Sequence, residues 1–456
     1  MNFSLLDGWF PWTVQLAAGA ALLVAAGWRD RRWRLRRAPI ALGAAVVLTA
    51  LAGLLAVTVA GITDPLPFAL WLWLGAAILA LAVLVAGWGS ARWWRRSLAP
   101  LAAVLALLAG ANVLNASTGY FPTVDDAIGE LTGAPLPQQV TLDQLGSLTG
   151  RTSTGRIVEV DIPDTASGFA HREELVYLPP AWFRSKTRPK LPVLEMIGGE
   201  YAVPDNWVRA GDAVQTADAY AAQHGGYAPV LVFADATGGF KVDTECVNGP
   251  NGNAEDHLVK DIPPYIEKTF GTTTDPHKWG VVGWSMGGTC AIDLTLEHPQ
   301  VFTHFEDISG DLGPNTGDKQ QTIDTLYGGD AAAWAAHDPL TVLAGHAKFR
   351  GTSGWFESGD QETAQVAHAK QLDAAARQDG IACRLEVQPG RHTWHFGATA
   401  FADALPWLAQ QLGTPGLHQT RTGPVKPLPK PTGPAHTGQP GTTAPDTTPP
   451  AAPAAV

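Results

Sequence analysis

The sequence predicts an α/β domain, in which a mostly parallel sheet has helices on both faces, preceded by an all-α transmembrane region. Long apolar stretches are confined to the first quarter of the chain. Further on, short apolar runs alternate with stretches of helical periodicity, and the last forty residues are rich in Pro, Thr, Gly and Ala. These shifts predict a transmembrane region of about four helices over 1–114, a linker over 115–150, the α/β domain over 151–412 and a disordered tail over 413–456.

Charge is distributed unevenly along the 456 residues. The net charge is -11, yet residues 1–97 hold nine Arg, no Lys and three acidic residues, which gives +6. The rest of the chain therefore has a charge of -17. A basic apolar front and an acidic rear predict different surroundings for the two parts. The rear has no Lys/Arg cluster, which argues against nucleic acid as a partner.

The three cysteines, Cys246, Cys290 and Cys383, are too few for a disulfide framework and lack the spacing of metal ligands. One pair could form a bridge, but the sequence does not identify which pair, and buried thiols are the favoured interpretation. The sequence predicts neither a metal nor another cofactor.

The front of the chain contains enough apolar sequence for membrane spans. A helix needs about 20 apolar residues to cross a bilayer. The second and third stretches are long enough, the first is near the lower limit, and the fourth is short and ends in Asn112 and Asn115. The four stretches lie near residues 11–28, 39–62, 66–88 and 98–114.

Arginines set the predicted orientation of these spans. The connector 29–37 holds six and the connector 92–96 holds three, whereas the N-terminal nine residues and the connector 63–67 hold none. Because basic loops stay in the cytoplasm, we expect a multi-pass protein of the cell membrane with everything after about residue 115 outside the cytoplasm. If the fourth stretch did not cross, the rear domain would be cytoplasmic. A cleaved signal peptide is disfavoured, since its charges should precede the apolar run.

The α/β pattern begins with two strands of antiparallel type and continues with strand and helix in alternation. The predicted strands are 156–162, 173–178, 191–197, 229–234, 278–283, 301–308, 348–357 and 382–387. The predicted helices are 206–222, 255–270, 286–297, 361–379 and 398–412. The tail has too few large apolar side chains to offset its ordering entropy.

One motif indicates chemistry. The β-rich run KWGVVG leads directly into Gly-x-Ser-x-Gly at 283–287, and a helix can begin at once. Strand, motif and helix in this order are typical of the nucleophile elbow of α/β-hydrolases, in which Ser285 would project above the sheet. With 49 glycines in the chain, the motif alone could arise by chance. Its position between strand and helix favours a catalytic serine.

A catalytic serine needs a base and an acid that orients the base, and in this fold they follow in the order serine, acid, histidine. The stretches WFESGDQET and QPGRHTWHFG each come where a loop should follow one of the last two strands. We therefore expect Asp360 as the acid and His392 as the base. The alternatives are Glu357 or Glu362 for the acid and His395 for the base.

The oxyanion of a tetrahedral intermediate needs two backbone N–H donors. One is expected from Met286, the residue after the nucleophile, and the other from the loop after an earlier strand. That loop is IGGEYAVPDNW, where two glycines permit close backbone approach and Gly199 or Glu200 would supply the donor. An ordinary turn is the alternative interpretation of the two glycines.

Four segments together resemble the putative-esterase family that includes esterase D and the antigen 85 mycolyltransferases. They are LPVLEMIGGEYAVPDNWVRAG, DHLVKDIPPYIEKTFGT, WGVVGWSMGGTCAIDLTLEHPQVF and PGRHTWHFG, and the resemblance covers roughly 170–410. It implies an α/β-hydrolase fold, an acyl-enzyme at Ser285 and His392 as base. Relatives that transfer mycolate have Leu-Asp-Gly-Leu-Arg in the oxyanion loop, whereas this chain has Ile-Gly-Gly-Glu-Tyr at 197–201.

The sequence thus predicts a membrane-anchored, extracytoplasmic serine esterase that acts on carboxylic esters through an acyl-enzyme at Ser285. An acyltransferase that moves acyl chains onto cell-envelope glycan or lipid is the first alternative, because only the last step differs. A non-catalytic relative that binds envelope ligands is the second. The expected partners are an acyl ester substrate and the lipid bilayer.

Overall fold

The protein is described from a computed structural model, which covers residues 3–59, 66–150, 152–239, 242–345 and 348–416. The tail predicted to be disordered lies outside the described residues from residue 417 onward. The connector between the second and third apolar stretches also lies largely outside them.

The front of the chain forms four helices that are long and apolar enough to cross a membrane: α1 (Trp9–Ala26), α2 (Ala38–Thr58), α3 (Phe68–Gly87) and α4 (Trp93–Thr118). A π-helical turn from Trp33 to Arg37 leads into α2. Where α1, α3 and α4 meet, the buried side chains are alanines. Small residues at such contacts let apolar helices approach closely. The larger Leu, Val and Trp side chains of these helices are mostly exposed.

The fourth helix is longer than its apolar stretch indicated. It continues for 26 residues to Thr118, past both asparagines. The side chain of Asn112 donates a hydrogen bond to the Leu5 carbonyl. The Asn115 side chain bonds the backbone N–H and carbonyl of Phe121, closing the turn that follows the helix. The asparagines therefore organise the end of the helix instead of terminating it.

The segment 115–150, expected to be a linker, is part of the folded domain in this structure. It forms helix α5 (Val124–Thr132) and strand β1 (Gln139–Val140), and β1 pairs in parallel with the next strand. The sequence signal was weak because a two-residue strand has no periodicity. Its pairing depends on a partner elsewhere in the chain.

The remaining strands are β2 (Arg156–Val160), β3 (Glu174–Leu178), β4 (Val193–Ile197), β5 (Val230–Ala234), β6 (Asn248–Gly249), β7 (Gly252–Asn253), β8 (Trp279–Trp284), β9 (His304–Ile308), β10 (Ser353–Gly359) and β11 (Ala382–Gln388). Nine of the described strands form one sheet in the order β1-β2-β3-β5-β4-β8-β9-β10-β11. Within this sheet of described strands, β3 alone runs antiparallel to both of its neighbours, β2 and β5. The predicted mostly parallel sheet is confirmed.

Helices cover both faces of this sheet. In chain order they are α6 (Asn206–Arg209), α7 (Ala213–Gln223), α8 (Ala254–Asp256), α9 (Ile262–Phe270), α10 (Met286–Glu297), α11 (Lys319–Leu326), α12 (Ala331–His337), α13 (Pro339–Gly345), α14 (Thr363–Gln378) and α15 (Trp394–Gln411). One buried apolar cluster joins the sheet to α9, α10 and α14, and another joins it to α7 and α15. This is the α/β-hydrolase fold expected from the sequence.

The order of the strands determines where a site can form. From β4 the chain crosses to β5 on one side and then returns to β8 on the other side. Such a reversal opens a crevice at the carboxyl ends of the two diverging strands. Ile197 at the end of β4 lies opposite Gly283 in β8, so the loops that follow both strands meet in this crevice.

Candidate active site

Ser285 occupies a sharp turn between β8 and α10. Its backbone has φ 61° and ψ -124°, a conformation that a residue with a side chain rarely adopts. The Ser285 N–H donates a hydrogen bond to the Ile308 carbonyl at 2.9 Å, which ties the turn to β9. The strained turn directs the side chain away from the sheet and toward the crevice.

The flanking glycines make this turn sterically feasible. A Cβ added to Gly283 would lie 1.7 Å from the Gly287 carbonyl oxygen. A Cβ added to Gly287 would lie 2.2 Å from the Ile197 carbonyl oxygen at the end of β4. Both contacts are with backbone atoms that cannot rotate away. The Gly-x-Ser-x-Gly pattern is therefore required by this packing and is not an accident of composition.

His392 lies in the loop after β11 and contacts the serine. Its Nε2 is 2.8 Å from Ser285 Oγ, and its ring stacks on Trp284 with centroids 4.9 Å apart. The next residue, Thr393, caps α15 by accepting a hydrogen bond from the Phe396 N–H. The loop therefore holds the imidazole between a fixed helix start and an aromatic ring. The alternative base His395 is exposed on α15.

The acid that contacts His392 is Glu362, and the expectation for Asp360 is wrong. Glu362 Oε1 lies 2.5 Å from His392 Nδ1, and the residue is only 6% exposed. Its other oxygen, Oε2, accepts hydrogen bonds from the Ser309 hydroxyl and the Gly359 N–H, each at 2.9 Å. Because a carboxylate only accepts, Nδ1 must carry the proton, so Nε2 of the neutral ring faces the serine with its lone pair.

Asp360 is excluded by the direction of the chain after β10. Its N–H bonds to the Gln388 carbonyl, and its exposed carboxylate accepts a hydrogen bond from the Gly390 N–H at 3.1 Å. The chain then turns back, so Glu362, two residues later, points inward. A Cβ on Gly359 would lie 2.6 Å from Glu362 Oε2, so this glycine leaves room for the carboxylate. That glycine was the one local signal for Glu362.

The other alternative acid, Glu357, belongs to a different hydrogen-bond network. Its side chain is fully buried in β10, where it accepts hydrogen bonds from Trp355 Nε1 and Gln388 Nε2, each at 2.8 Å. Burial raises the pKa of Glu357 to about 7. Its partners are structural, so it does not orient the imidazole.

The predicted oxyanion loop lies against the nucleophile. A Cβ on Gly199 would be 3.3 Å from the Ser285 Cβ and 3.3 Å from the Trp284 ring. Met286 is the first residue of α10, where backbone N–H groups have no acceptor within the helix. The loop with Gly199 and Glu200 therefore meets the start of α10 beside Ser285. The roles of Met286, Gly199 and Glu200 as donors stay predictions.

Aromatic side chains pack around the residues next to Ser285 and His392. Trp284 precedes the nucleophile, and Trp394 follows the base by two residues; their ring centroids are 4.6 Å apart. Trp207 approaches Trp394 at 5.2 Å. Tyr120, two residues beyond the end of α4, contacts Trp394 and Trp284 at 5.9 and 6.3 Å. The end of the membrane-type helices thus packs against the residues that position the serine and the histidine.

A disulfide crosslinks the elbow helix. Cys246 and Cys290 are bonded, while Cys383 is a buried free thiol. Buried thiols were the favoured interpretation of the sequence, and this is wrong for the first two cysteines. Cysteines 44 residues apart give no local signal of pairing. The bond joins the loop after β5 to α10, five residues beyond Ser285.

Several carboxylates lie near this crosslink and the oxyanion loop. Burial, and then the neighbouring Glu200 carboxylate, raises the pKa of Asp243 to about 7. Burial also raises the pKa of Glu245 well above its usual range, with Asp243 and Asp311 adding to the effect. The Asp311 N–H donates a hydrogen bond to Thr289 in the first turn of α10. The surroundings of the serine are therefore acidic.

Residues 171–408 match the family described as putative esterase. An uncharacterised protein of Corynebacterium glutamicum is 30% identical over 364 residues, covering 77% of this chain and 83% of that protein. S-formylglutathione hydrolase of Paracoccus denitrificans is 24% identical, covering 52% of this chain and 88% of that enzyme. The diacylglycerol acyltransferase/mycolyltransferase Ag85A of Mycobacterium leprae is 28% identical, covering 36% of this chain and 58% of the enzyme.

Proposed function

The chain belongs to the putative esterase family, and we propose that it is a membrane-anchored serine esterase whose catalytic domain lies outside the cytoplasm. The observation on which the catalytic proposal rests is the contact chain from Ser285 Oγ to His392 Nε2 (2.8 Å) and from His392 Nδ1 to Glu362 Oε1 (2.5 Å). This arrangement provides a nucleophile, a general base and a group that orients the base.

The reaction follows from these positions. Ser285 Oγ attacks the ester carbonyl carbon while His392 Nε2 takes its proton, and the Glu362 carboxylate stabilises the resulting imidazolium. The N–H of Met286 and one from the 199–200 loop hold the oxyanion; each donor is worth about 10²–10³ in rate. When the tetrahedral intermediate collapses, His392 returns the proton to the leaving alcohol. Water then attacks the acyl-enzyme by the same route.

Two observations support membrane anchoring with the catalytic domain outside. The four apolar helices are joined by arginine-rich connectors after the first and third helices, as expected for cytoplasmic loops. Starting outside, four crossings leave the α/β domain outside. The Cys246–Cys290 disulfide agrees with this orientation, because disulfides persist in oxidising compartments and are rare in the cytoplasm.

Labelling intact cells with a membrane-impermeant fluorophosphonate probe tests the catalytic proposal. The wild type should be labelled, and Ser285→Ala and His392→Ala should not. A folded wild-type protein that fails to react, even after lysis, would overturn the esterase proposal and favour the alternative that it only binds envelope ligands. Labelling that appears only after lysis would instead place the domain inside.

Cysteine accessibility tests the orientation independently of activity. Ser147 is exposed in the α/β domain, and Gly89 lies beside the second arginine-rich connector, where an added Cβ would have no neighbour within 4 Å. Ser147→Cys should react with an impermeant thiol reagent on intact cells, and the matched variant Gly89→Cys should react only after lysis. The reverse pattern would invert the proposed topology. The native free thiol Cys383 is buried, so background labelling should be low.

Acyl transfer is the second candidate, and the acidic surroundings of the serine favour it. The Asp243 carboxyl group is only partly buried and interacts with Glu200 of the oxyanion loop, so it can bond the hydroxyls of a sugar or polyol acceptor. The relative Ag85A is itself named an acyltransferase. With a soluble ester donor and added sugars, Asp243→Asn should lower the transfer-to-hydrolysis ratio while leaving hydrolysis unchanged. If added sugars give no acylated product with the wild type, hydrolysis is the function.

A further inference from the structure

A second group of titratable side chains lies at the opposite end of α10 from Ser285. We call it the α10 end cluster, and it consists of Glu255 in α8, Glu297 and His298 at the end of α10, and His337 at the end of α12. These side chains are between 13% and 19% exposed. Three helices that are distant in the sequence therefore bring together two imidazoles and two carboxylates, all of them largely buried.

The distances within the α10 end cluster match those between metal ligands. His337 Nε2 is 3.3 Å from Glu255 Oε2 and 3.5 Å from Glu297 Oε2, and the three ligand atoms all lie within 4.8 Å of one another. Two ligands at about 2.0–2.1 Å from a tetrahedral zinc are about 3.3–3.4 Å apart. Both separations are longer than the 2.7 Å contact between His298 and Glu255 in the same cluster. They therefore leave room for a zinc ion between the ligand atoms.

The surrounding hydrogen bonds orient these ligand atoms. His337 Nδ1 donates to the Ala333 carbonyl at 2.9 Å, so Nε2 is the ring atom that faces both carboxylates. A lone pair facing two anions is unfavourable unless a proton or a cation lies between them. His298 Nε2, 2.7 Å from Glu255 Oε1, holds the other oxygen of that carboxylate. Such supporting contacts are typical of metal sites.

A buried carboxyl group without a hydrogen-bond partner adjoins the α10 end cluster. Asp293 precedes Glu297 by one helical turn and is only 5% exposed, and neither of its oxygens has a hydrogen-bond partner among the described residues. Glu297 Oε1 is buried and unpartnered as well. A water or an ion beside these oxygens would supply the missing partners. The C-terminal end of α10 adds negative potential of its own.

We propose that the α10 end cluster binds one Zn²⁺ ion through Glu255 Oε2, Glu297 Oε2 and His337 Nε2, with water as the fourth ligand. The mixed nitrogen and carboxylate donors favour zinc over calcium or magnesium, which take oxygen ligands. The metal would join the end of α12 to the end of α10. The segment from α11 to α13 would then be fixed at the end remote from Ser285.

The other such group among the described residues, His171, Glu174 and His257, already shares one carboxylate oxygen between its two rings. A single oxygen, Glu174 Oε1, lies 2.8 Å from His257 Nε2 and 3.1 Å from His171 Nδ1, so it can accept from both rings. That arrangement is a shared hydrogen bond. This group is the other place where zinc could bind if the α10 end cluster did not bind it.

The test uses the full chain in detergent, treated with EDTA, dialysed and titrated with ZnCl₂. Bound zinc measured by mass spectrometry should reach one ion per chain, and Co²⁺ should give the visible bands of tetrahedral coordination. Glu297→Gln and His337→Gln should each weaken binding at least about 10-fold. The matched control His368→Gln removes a histidine that faces Asp311 at 3.3 Å outside the cluster, and it should bind as the wild type does.

Two results would overturn the proposal. One is no zinc above background on the wild type. The other is a full equivalent of zinc retained with unchanged affinity by both Glu297→Gln and His337→Gln, which would locate the metal elsewhere. Thermal unfolding of each variant without zinc shows whether it has folded. On the wild type alone, zinc should raise Tm and slow amide exchange in α11–α13, a readout that does not depend on the esterase proposal.

Discussion

Replacing each acid by its amide tests whether Glu362 or Asp360 orients His392. In Glu362→Gln, the amide oxygen must face the two donors that now reach Oε2, the Ser309 hydroxyl and the Gly359 N–H. The amide nitrogen then faces His392 Nδ1 as a donor. Nδ1 must become an acceptor, so the ring proton moves to Nε2 and points at the serine. The base is held in the wrong tautomer.

The expected magnitude follows from that tautomer. An imidazole with its proton on Nε2 cannot accept the Ser285 proton, and loss of this step in a triad costs about 10⁴ in kcat, which is about 5 kcal/mol. Asp360→Asn keeps the oxygen that accepts from the Gly390 N–H and is exposed, so its activity should change by no more than about twofold.

Hydrolysis of a p-nitrophenyl ester by the purified proteins measures both variants. The loss in Glu362→Gln should appear in kcat with KM little changed, because the carboxylate acts on the base and not on the substrate. Thermal unfolding controls for folding, since the amide retains two of the three hydrogen bonds of the carboxylate. If Asp360→Asn lost activity and Glu362→Gln kept it, the assignment of the acid would be refuted.

Three further predictions follow from the packing. Gly287→Ala puts a Cβ 2.2 Å from the Ile197 carbonyl and should destabilise the fold by about 1–3 kcal/mol and abolish fluorophosphonate labelling; a stable, labelled variant contradicts the elbow packing. Burial lowers the pKa of His304 to about 4, so the stability that its neutral ring contributes is present above pH 6.5 and is lost as the pH falls toward 4. His304→Gln should therefore flatten this part of the acid-unfolding curve. An unchanged curve would refute the buried neutral state of His304. Cys246→Ala opens a loop of 44 residues and should lower the free energy of unfolding by up to about 4 kcal/mol in denaturant titrations. An unchanged denaturation midpoint would argue against the disulfide. The absence of a Cys246–Cys290 peptide from a non-reducing digest would exclude it.

The candidate nucleophile and the candidate base could be proposed from the sequence because their signals are local. Strand, Gly-x-Ser-x-Gly and helix are contiguous, and the clash of a Cβ at Gly283 or Gly287 arises within a few residues of the turn or at the adjacent strand. The His-x-Trp segment likewise puts His392 and Trp394 on one loop. Such signals need no knowledge of which distant residues meet.

The acid was missed because its position depends on the path of the chain through a short turn. Asp360 and Glu362 are two residues apart in the same loop, and composition treats both as acids that follow a strand. The inward direction of Glu362 results from the hydrogen bonds of residues 359–362 with the chain around Gly390. The pairing of Cys246 with Cys290 and the helices α11–α13 depend on long-range contacts in the same way.

The boundary between the four apolar helices and the α/β domain could not be located from the sequence either, and its position matters for the proposed function. Composition marks where the apolar stretch of α4 ends, but it does not reveal that Tyr120 packs against Trp284 and Trp394. Gly119 fits closely beside this contact, since a Cβ there would lie 3.5 Å from the Trp394 N–H nitrogen. A connection this short and this well packed does not behave as a flexible linker. Ser285 and His392 are therefore held at a fixed short distance from the end of α4, and a substrate of the proposed esterase would reach them beside the helices that we propose span the bilayer.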